Sequence, residues 1–161
     1  MNRSFTQMRN EFRLHWKSYV LQSLLATAAM TMVLFFLTLE NAVVVASIGA
    51  TSFIVFAMPN SITAKPRNVI GGQLTGVLSG SVCGLVLGIL PIHSIFIYAV
   101  AVGISIFIMV VIDVEHPPAA GTALGVSITG FSWSIVLAVI TSVTVLSLVH
   151  HFFKRHIRDL V

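Results

Sequence analysis

Long, continuously apolar runs constrain the fold of this chain more than any other feature. A transmembrane helix needs about 20 consecutive apolar residues, and five runs here reach or approach that length. Because the runs do not alternate between apolar and polar residues, they predict helices rather than strands. The five runs span residues 19–39, 42–58, 69–90, 95–112 and 131–149.

The segment 113–130, between the last two runs, is neither a plain loop nor a full span. Its His116-Pro117-Pro118 sequence is informative, because a residue before proline favours extended backbone and proline itself suits the first turn of a helix. We therefore expect a half-helix that begins at Pro117 or Pro118. The predicted fold is an all-α, polytopic transmembrane bundle of five full spans plus this broken or re-entrant half-helix.

The path of residues 113–130 decides the topology, and two alternatives remain open. If the segment crosses, the chain makes six passages and both of its ends lie on one side. If it re-enters, five crossings leave the ends on opposite sides. A half-helix of about 12 residues covers only about 18 Å, and an extended linker before it can supply the rest. We favour six passages.

The few charged residues indicate the orientation of the chain. They make up 9% of it and gather near both ends and in two internal clusters. Cytoplasmic loops of membrane proteins are enriched in Lys and Arg, which predicts a cytoplasmic N-terminus with Lys65 and Arg67 on the same side. We expect a multi-pass protein of the bacterial inner membrane. The net charge of +4 reflects this bias rather than nucleic-acid binding.

We expect a single transmembrane domain over residues 1–161, with an interfacial amphipathic helix at 1–18, the membrane bundle at 19–152 and a basic tail at 153–161. The first of these carries apolar side chains on one face and basic side chains on the neighbouring face, a pattern typical of a helix lying on anionic headgroups. The apolar residues are Phe5, Met8, Phe12 and Trp16, and the basic residues are Arg9, Arg13 and Lys17.

Glycines recur at every fourth position of the run 69–90. Small residues allow helices to approach closely inside lipid, so the series predicts a helix-packing surface, with a pore-lining role for part of it as the alternative. Because a row at spacing four drifts around a helix, we expect it to contact more than one neighbour. The packing glycines are Gly72, Gly76, Gly80, Gly84 and Gly88, together with Gly125 in the broken segment.

A second proline-led helix start, at Lys65-Pro66-Arg67-Asn68, resembles the one after His116 in its chemistry. Helix N-termini attract anions, Arg67 can grip a planar oxyanion through two N–H groups, and Asn68 is a candidate helix cap. If the two starts face one another, they form an anion site. The predicted substrate-binding residues are Lys65, Arg67, Asn68, His116, Pro117, Pro118, Gly121 and Thr122.

Acidic residues lie beside this predicted anion site. Asp113, Glu115 and His116 would repel or admit an anion according to their protonation, so they are candidates for proton coupling. The alternative is that Asp113 and Glu115 lie in a cytoplasmic loop and pair with Lys65 or Arg67.

Several classes of function lack support in the sequence. We find no nucleophilic triad, phosphate loop or zinc signature, so we expect no enzyme, no cofactor and no metal site. The histidines at 150, 151 and 156 are better explained as interfacial residues. Because so short a chain encloses little interior, we expect a homo-oligomer within the lipid bilayer.

Two motifs together resemble the HPP family of integral membrane proteins. The first is His116-Pro117-Pro118 followed by Ala-Ala-Gly-Thr-Ala-Leu, and the second runs from Gly49-Ala-Thr-Ser to Pro66-Arg67-Asn68-Val-Ile-Gly-Gly72. The family is usually described as having four membrane helices, fewer than the runs counted here. Members have been associated with nitrite transport in plastids and cyanobacteria. The resemblance therefore implies a small-anion transporter that uses Arg67, Asn68 and His116.

Three functions remain open. The first is membrane transport of a small inorganic anion, nitrite-like, with or without a coupled proton. The second is a cation or proton pathway in which Asp113 and Glu115 are the ligands. The third is a membrane assembly subunit that transports nothing and uses its glycines only for packing.

Overall fold

The computed structural model describes residues 5–34, 42–89 and 93–160. Within these ranges the chain forms six α-helices, one 3-10 turn at Ile62–Ala64 and no strand, which confirms the all-α prediction. The helices are α1 (Phe5–Leu34), α2 (Ala42–Ala57), α3 (Pro66–Ile89), α4 (Ser94–Val111), α5 (Pro118–Thr129) and α6 (Trp133–Phe153).

Three of these helices are long and apolar enough to cross a membrane: Pro66–Leu87, Ser94–Val111 and Trp133–Phe153. The apolar stretch Val43–Ala57 is shorter. The first predicted span, 19–39, continues past Leu34 into residues outside the described ranges. The count of five full spans therefore stays a prediction.

The helices run back and forth between two ends of the bundle. One end, called here the Arg67 end, holds the start of α3 and the end of α4. Arg67 is at the start of α3 and Asp113 follows α4, and Arg67 Nη1 lies 3.4 Å from Asp113 Oδ2. The segment after α6 returns to the same end. There the Leu160 amide donates to the Ala57 carbonyl oxygen, and the Leu160 carbonyl oxygen accepts a hydrogen bond from the Tyr19 hydroxyl. The start of the bundle and its finish therefore lie together.

Helix α5 leads away from the Arg67 end, parallel to α3. A Cβ added at Gly72 would lie 2.5 Å from His116 Cβ, and one added at Gly84 would lie 3.5 Å from the Ser127 carbonyl oxygen, so residue numbers rise together along both helices. The segment 113–130 thus passes from one end of the bundle to the other, and α6 returns. Within the described residues this is the path that the six-passage alternative requires, and the number of membrane crossings stays a prediction.

The glycine surface of α3 contacts more than one neighbour, as expected: Gly72 lies against the α4–α5 linker and Met109 of α4, and the next three glycines of the series lie against α5. Cβ atoms added at Gly76 and Gly80 would clash with the carbonyl oxygens of Ala119 and Ala123, both in α5. The surroundings of Gly88 lie outside the described residues. Absence of side chains therefore lets α5 lie directly on the α3 backbone.

The two chain ends are joined rather than independent. Helix α1 continues through the predicted boundary at residue 18, with a break at His15 (φ −124°, ψ 15°). Arg158 Nη1 donates to His15 Nδ1 at 3.0 Å, and Asn60 binds both carboxylate oxygens of Asp159. The segment expected as a basic tail is thus packed against α1 and the α2–α3 loop. The side chains of Phe5 and Met8 lie outside the described residues.

Helices α4 and α5 differ in their surroundings. α4 exposes large apolar side chains along its length, as a lipid-facing helix does, including Ile95, Phe96, Phe107 and Val111. α5 packs against α2, α3 and α4 and buries most of its residues. The shortest helix is therefore the central one.

Candidate functional site: a buried polar core at the start of α5

Five polar side chains meet where α5 begins, and we call them the polar core. Ser47 and Thr51 come from α2, Gln73 from α3, His116 from the α4–α5 linker and Thr122 from α5. Four are fully buried and Ser47 is 5% exposed. Buried polar groups are costly unless they are hydrogen-bonded, so the partners of each one matter.

His116 is held by both ring nitrogens. Its Nδ1 lies 2.9 Å from the Thr63 carbonyl oxygen and its Nε2 lies 2.9 Å from Thr51 Oγ1. A carbonyl oxygen only accepts hydrogen bonds, so Nδ1 carries a hydrogen and Nε2 of the neutral ring accepts one. His116 lies in the α4–α5 linker, and its side chain is fully buried.

Gln73 joins the two halves of the polar core. Its Nε2 donates to Thr51 Oγ1 at 3.0 Å, and its Oε1 accepts from Thr122 Oγ1 at 2.6 Å. Ser47 Oγ lies 2.7 Å from Thr122 Oγ1 and donates to the Pro118 carbonyl at 2.5 Å. One amide thus connects α2 to α5 through hydroxyl groups on either side.

The N-terminus of α5 does not present bare amides to a ligand. Pro117 and Pro118 have no N–H group, Ala119 N donates to the His116 carbonyl at 2.9 Å, and Ala120 N donates to the Pro117 carbonyl at 3.1 Å. These bonds use the donors that an anion at the helix end would need. The prediction of an anion held by the exposed amides of α5 was wrong.

The start of α3 lies at the surface. The side chains of Arg67 and Asp113 are 66% and 77% exposed, and Arg67 Nη2 also donates to the Ile112 carbonyl at 3.3 Å. This is the ion pair that the alternative interpretation of the acidic residues required. Asn68 is buried and lies inside the first turn of α3 rather than before it, so it is not the N-cap. Its Nδ2 donates to the Glu115 carbonyl at 3.2 Å.

The comparison with known families decides the identity of the chain. The model of the HPP transmembrane region matches residues 9–159. The chain belongs to the HPP family. This membership confirms the resemblance carried by the HPP motif at His116 and makes the protein a membrane protein of that family.

One relative is a transmembrane protein of Dictyostelium discoideum, 35% identical over 82 residues. The match covers 51% of this HPP protein and 29% of the relative, so the chain spans under a third of the curated relative that it matches. No solved structure matches the chain.

The eight substrate-binding residues predicted for this HPP protein do not form one site. His116 and Thr122 belong to the polar core, while Lys65, Arg67 and Pro117 are exposed. The remaining three have structural contacts, in that Gly121 lies against Ser47, the Pro118 carbonyl binds Ser47, and Asn68 binds the linker.

The two helix starts do not face one another, which corrects the expected convergence. α3 and α5 point the same way, and α5 begins beside Gly76 of α3, because the carbonyl of Ala119 lies against that glycine. Ten helical residues separate Pro66 from Gly76, so the two starts are offset by about 15 Å along the bundle. A single anion therefore cannot touch both.

Sequence reasoning missed three of the five polar-core residues: Ser47, Thr51 and Gln73. The available signal was weak but present. Ser47 and Thr51 are one helical turn apart in an otherwise apolar run, and Gln73 is an amide inside the glycine series. Polar side chains on one face of an apolar helix indicate contact with other polar groups.

Proposed function

We propose that this HPP protein carries a small inorganic anion, nitrite or an ion of similar size and charge, across the membrane. The observation that carries the proposal is the polar core, which lies at the start of the central helix and unites α2, α3 and α5. Polar residues inside a membrane are expensive and usually mark a substrate path.

The chemistry of the polar core suits an anion better than a cation. Hydroxyl and amide groups can turn their hydrogens toward a negative charge, and Gln73 supplies two N–H donors beside the hydroxyls of Ser47, Thr51 and Thr122. No carboxylate is among the buried polar side chains of the described residues. A cation pathway would need carboxylates there, whereas Asp113 is exposed and paired with Arg67.

The surface cations have a different part in this proposal. Lys65 and Arg67 are exposed at the Arg67 end and raise the local concentration of anions by electrostatic attraction. They do not bind the ion in the interior, because Arg67 lies at the surface in an ion pair. The anion then displaces the hydrogen bonds within the polar core, whose groups are satisfied by one another until it arrives.

An uptake assay in proteoliposomes tests the proposal. Purified protein should accumulate nitrite faster than protein-free vesicles, and nitrate, formate and chloride define the selectivity. Thr122→Val, which keeps the shape of the side chain and removes its hydroxyl, should slow uptake about tenfold, the effect of roughly 1.4 kcal/mol.

Thr144→Val is the matched control for that variant. Thr144 lies in α6, is exposed, and donates only to the Ile140 carbonyl of its own helix at 2.7 Å. Uptake should therefore stay at the wild-type rate. Equal rates in wild-type and protein-free vesicles for all four anions would contradict the proposed function.

A further inference from the structure

The Thr51 hydroxyl has two acceptors for its single hydrogen. Thr51 Oγ1 lies 2.9 Å from His116 Nε2 and 3.0 Å from the Ser47 carbonyl oxygen, one turn earlier in α2. Gln73 Nε2 already donates to the same oxygen at 3.0 Å. The hydroxyl hydrogen must therefore point either at the imidazole or at the carbonyl.

The choice depends on the protonation of His116. In the neutral ring Nδ1–H donates to Thr63 and Nε2 is an acceptor, so the Thr51 hydrogen points at Nε2. When Nε2 is protonated it becomes a donor, and Thr51 Oγ1 accepts from it. The Thr51 hydrogen then turns to the Ser47 carbonyl, which already lies within hydrogen-bond distance.

We propose that Thr51 is the proton-coupling residue of the polar core, allowing His116 to take up one proton together with one anion and release both on the other side. The step breaks no covalent bond other than that to the incoming proton. One N–H bond forms at Nε2, one hydroxyl rotates, and the positive charge of the imidazolium is balanced by the cargo anion. This inference rests on the proposed function and assigns its coupling step.

The charged side chains around His116 do not neutralise the protonated ring. Helix α2 contributes no titratable side chain, and α4 contributes only Tyr98 near its opposite end. Lys65 and Arg67 are exposed, Asp113 is exposed and paired with Arg67, and Glu115 is half-buried. Glu115 lines a cavity together with His116, but no hydrogen bond joins the two side chains and Glu115 is outside the polar core, so the counterion in this step is the cargo anion.

The first measurement is nitrite uptake into proteoliposomes with and without an inward proton gradient. Wild-type uptake should rise severalfold with the gradient. Thr51→Val should lose that stimulation, Thr51→Ser should keep it, and Thr144→Val should behave as wild type. A role for Thr51 in packing alone would lower uptake in the valine variant yet leave the ratio between the two conditions unchanged, which would overturn the inference.

The second measurement is independent of transport. Solid-state NMR of the reconstituted full chain, with ¹⁵N-labelled histidine and His116→Gln for assignment, should show at neutral pH a protonated Nδ1 and a bare Nε2 in His116. The Nε2 shift should change in Thr51→Val and stay near wild type in Thr51→Ser. A hydrogen on Nε2 of the neutral ring, or an Nε2 shift indifferent to Thr51→Val, would overturn the assignment.

The two measurements separate the possible failures. Nitrite uptake that ignores the proton gradient in wild type leaves the proposed function standing and overturns the coupling. Absence of any uptake removes the proposed function, and the NMR result then decides by itself whether Thr51 and His116 exchange the hydrogen.

Discussion

At Pro66, helix α3 begins at the surface of the bundle, beside an exposed ion pair between Arg67 and Asp113. At Pro118, helix α5 begins inside it, beside side chains that are uncharged and hydrogen-bonded to one another. Both starts share the proline that suits the first helical turn. They differ in exposure to water, and that exposure decides whether a helix start can carry charged side chains.

A charged side chain costs little free energy at the exposed start of α3 and much more at the buried start of α5. An exposed ion pair gains at most about 1 kcal/mol, because water screens it. Removing one member of a buried hydrogen-bonded network leaves its partner unsatisfied, which costs about 1–3 kcal/mol. Substitutions around the start of α5 should therefore lower the free energy of unfolding strongly, and substitutions at Arg67 only slightly.

The largest effect is expected where α5 lies on the α3 backbone. In Gly76→Ala the new Cβ would clash with the Ala119 carbonyl oxygen, which is backbone and cannot move without displacing α5. We expect a loss of about 3 kcal/mol or more in the free energy of unfolding, measured as thermal unfolding in detergent. Gly103→Ala, where nothing lies within 4 Å, is the control and should be neutral or slightly stabilising. Equal stability of the two variants would break the comparison.

Loss of the central amide should have the next largest effect. Gln73→Met keeps the length of the side chain but removes the donor to Thr51 and the acceptor of Thr122. We expect the free energy of unfolding to drop by about 2 kcal/mol. Chemical unfolding in mixed micelles measures it, and a drop below about 0.5 kcal/mol would place Gln73 outside the network energetically.

The smallest effect is expected at the surface pair. Arg67→Ala removes a contact of 3.4 Å between two exposed side chains, so stability should change by less than about 1 kcal/mol and by less still in high salt. The same unfolding assay at two salt concentrations sharpens the comparison. If Arg67→Ala lost more free energy of unfolding than Gln73→Met, the expected order of the two helix starts would be reversed.

Much of the fold could be predicted from single segments of the sequence. Apolar runs predicted the helices, the prolines after His116 predicted the start of α5 at Pro118, and the spacing of the glycines predicted close packing. These features are local, because they depend on backbone chemistry and on neighbours in the same helix. The partner of the glycine surface was not predictable, since any helix could have lain against it.

The candidate site was less accessible to sequence reasoning for the same reason. Its hydrogen bonds join residues from α2, α3 and α5, and a serine, a threonine or a glutamine by itself predicts no partner. Arg67 attracted attention because charge is rare in this chain, yet it lies at the surface. A functional role for His116 was predicted from the sequence. Roles for Thr51, which is hydrogen-bonded to His116, and for Gln73, which donates to the Thr51 hydroxyl, were not predicted.

The initial rate of nitrite uptake in Gln73→Met and Arg67→Ala proteoliposomes, at low and at high ionic strength, shows whether the anion is bound in the polar core or at the surface. We expect a loss of about tenfold for Gln73→Met at both ionic strengths, and for Arg67→Ala a smaller loss that disappears in high salt. Abolished uptake in Arg67→Ala with wild-type uptake in Gln73→Met would contradict this expectation, because the anion would then be bound at the charged start of α3.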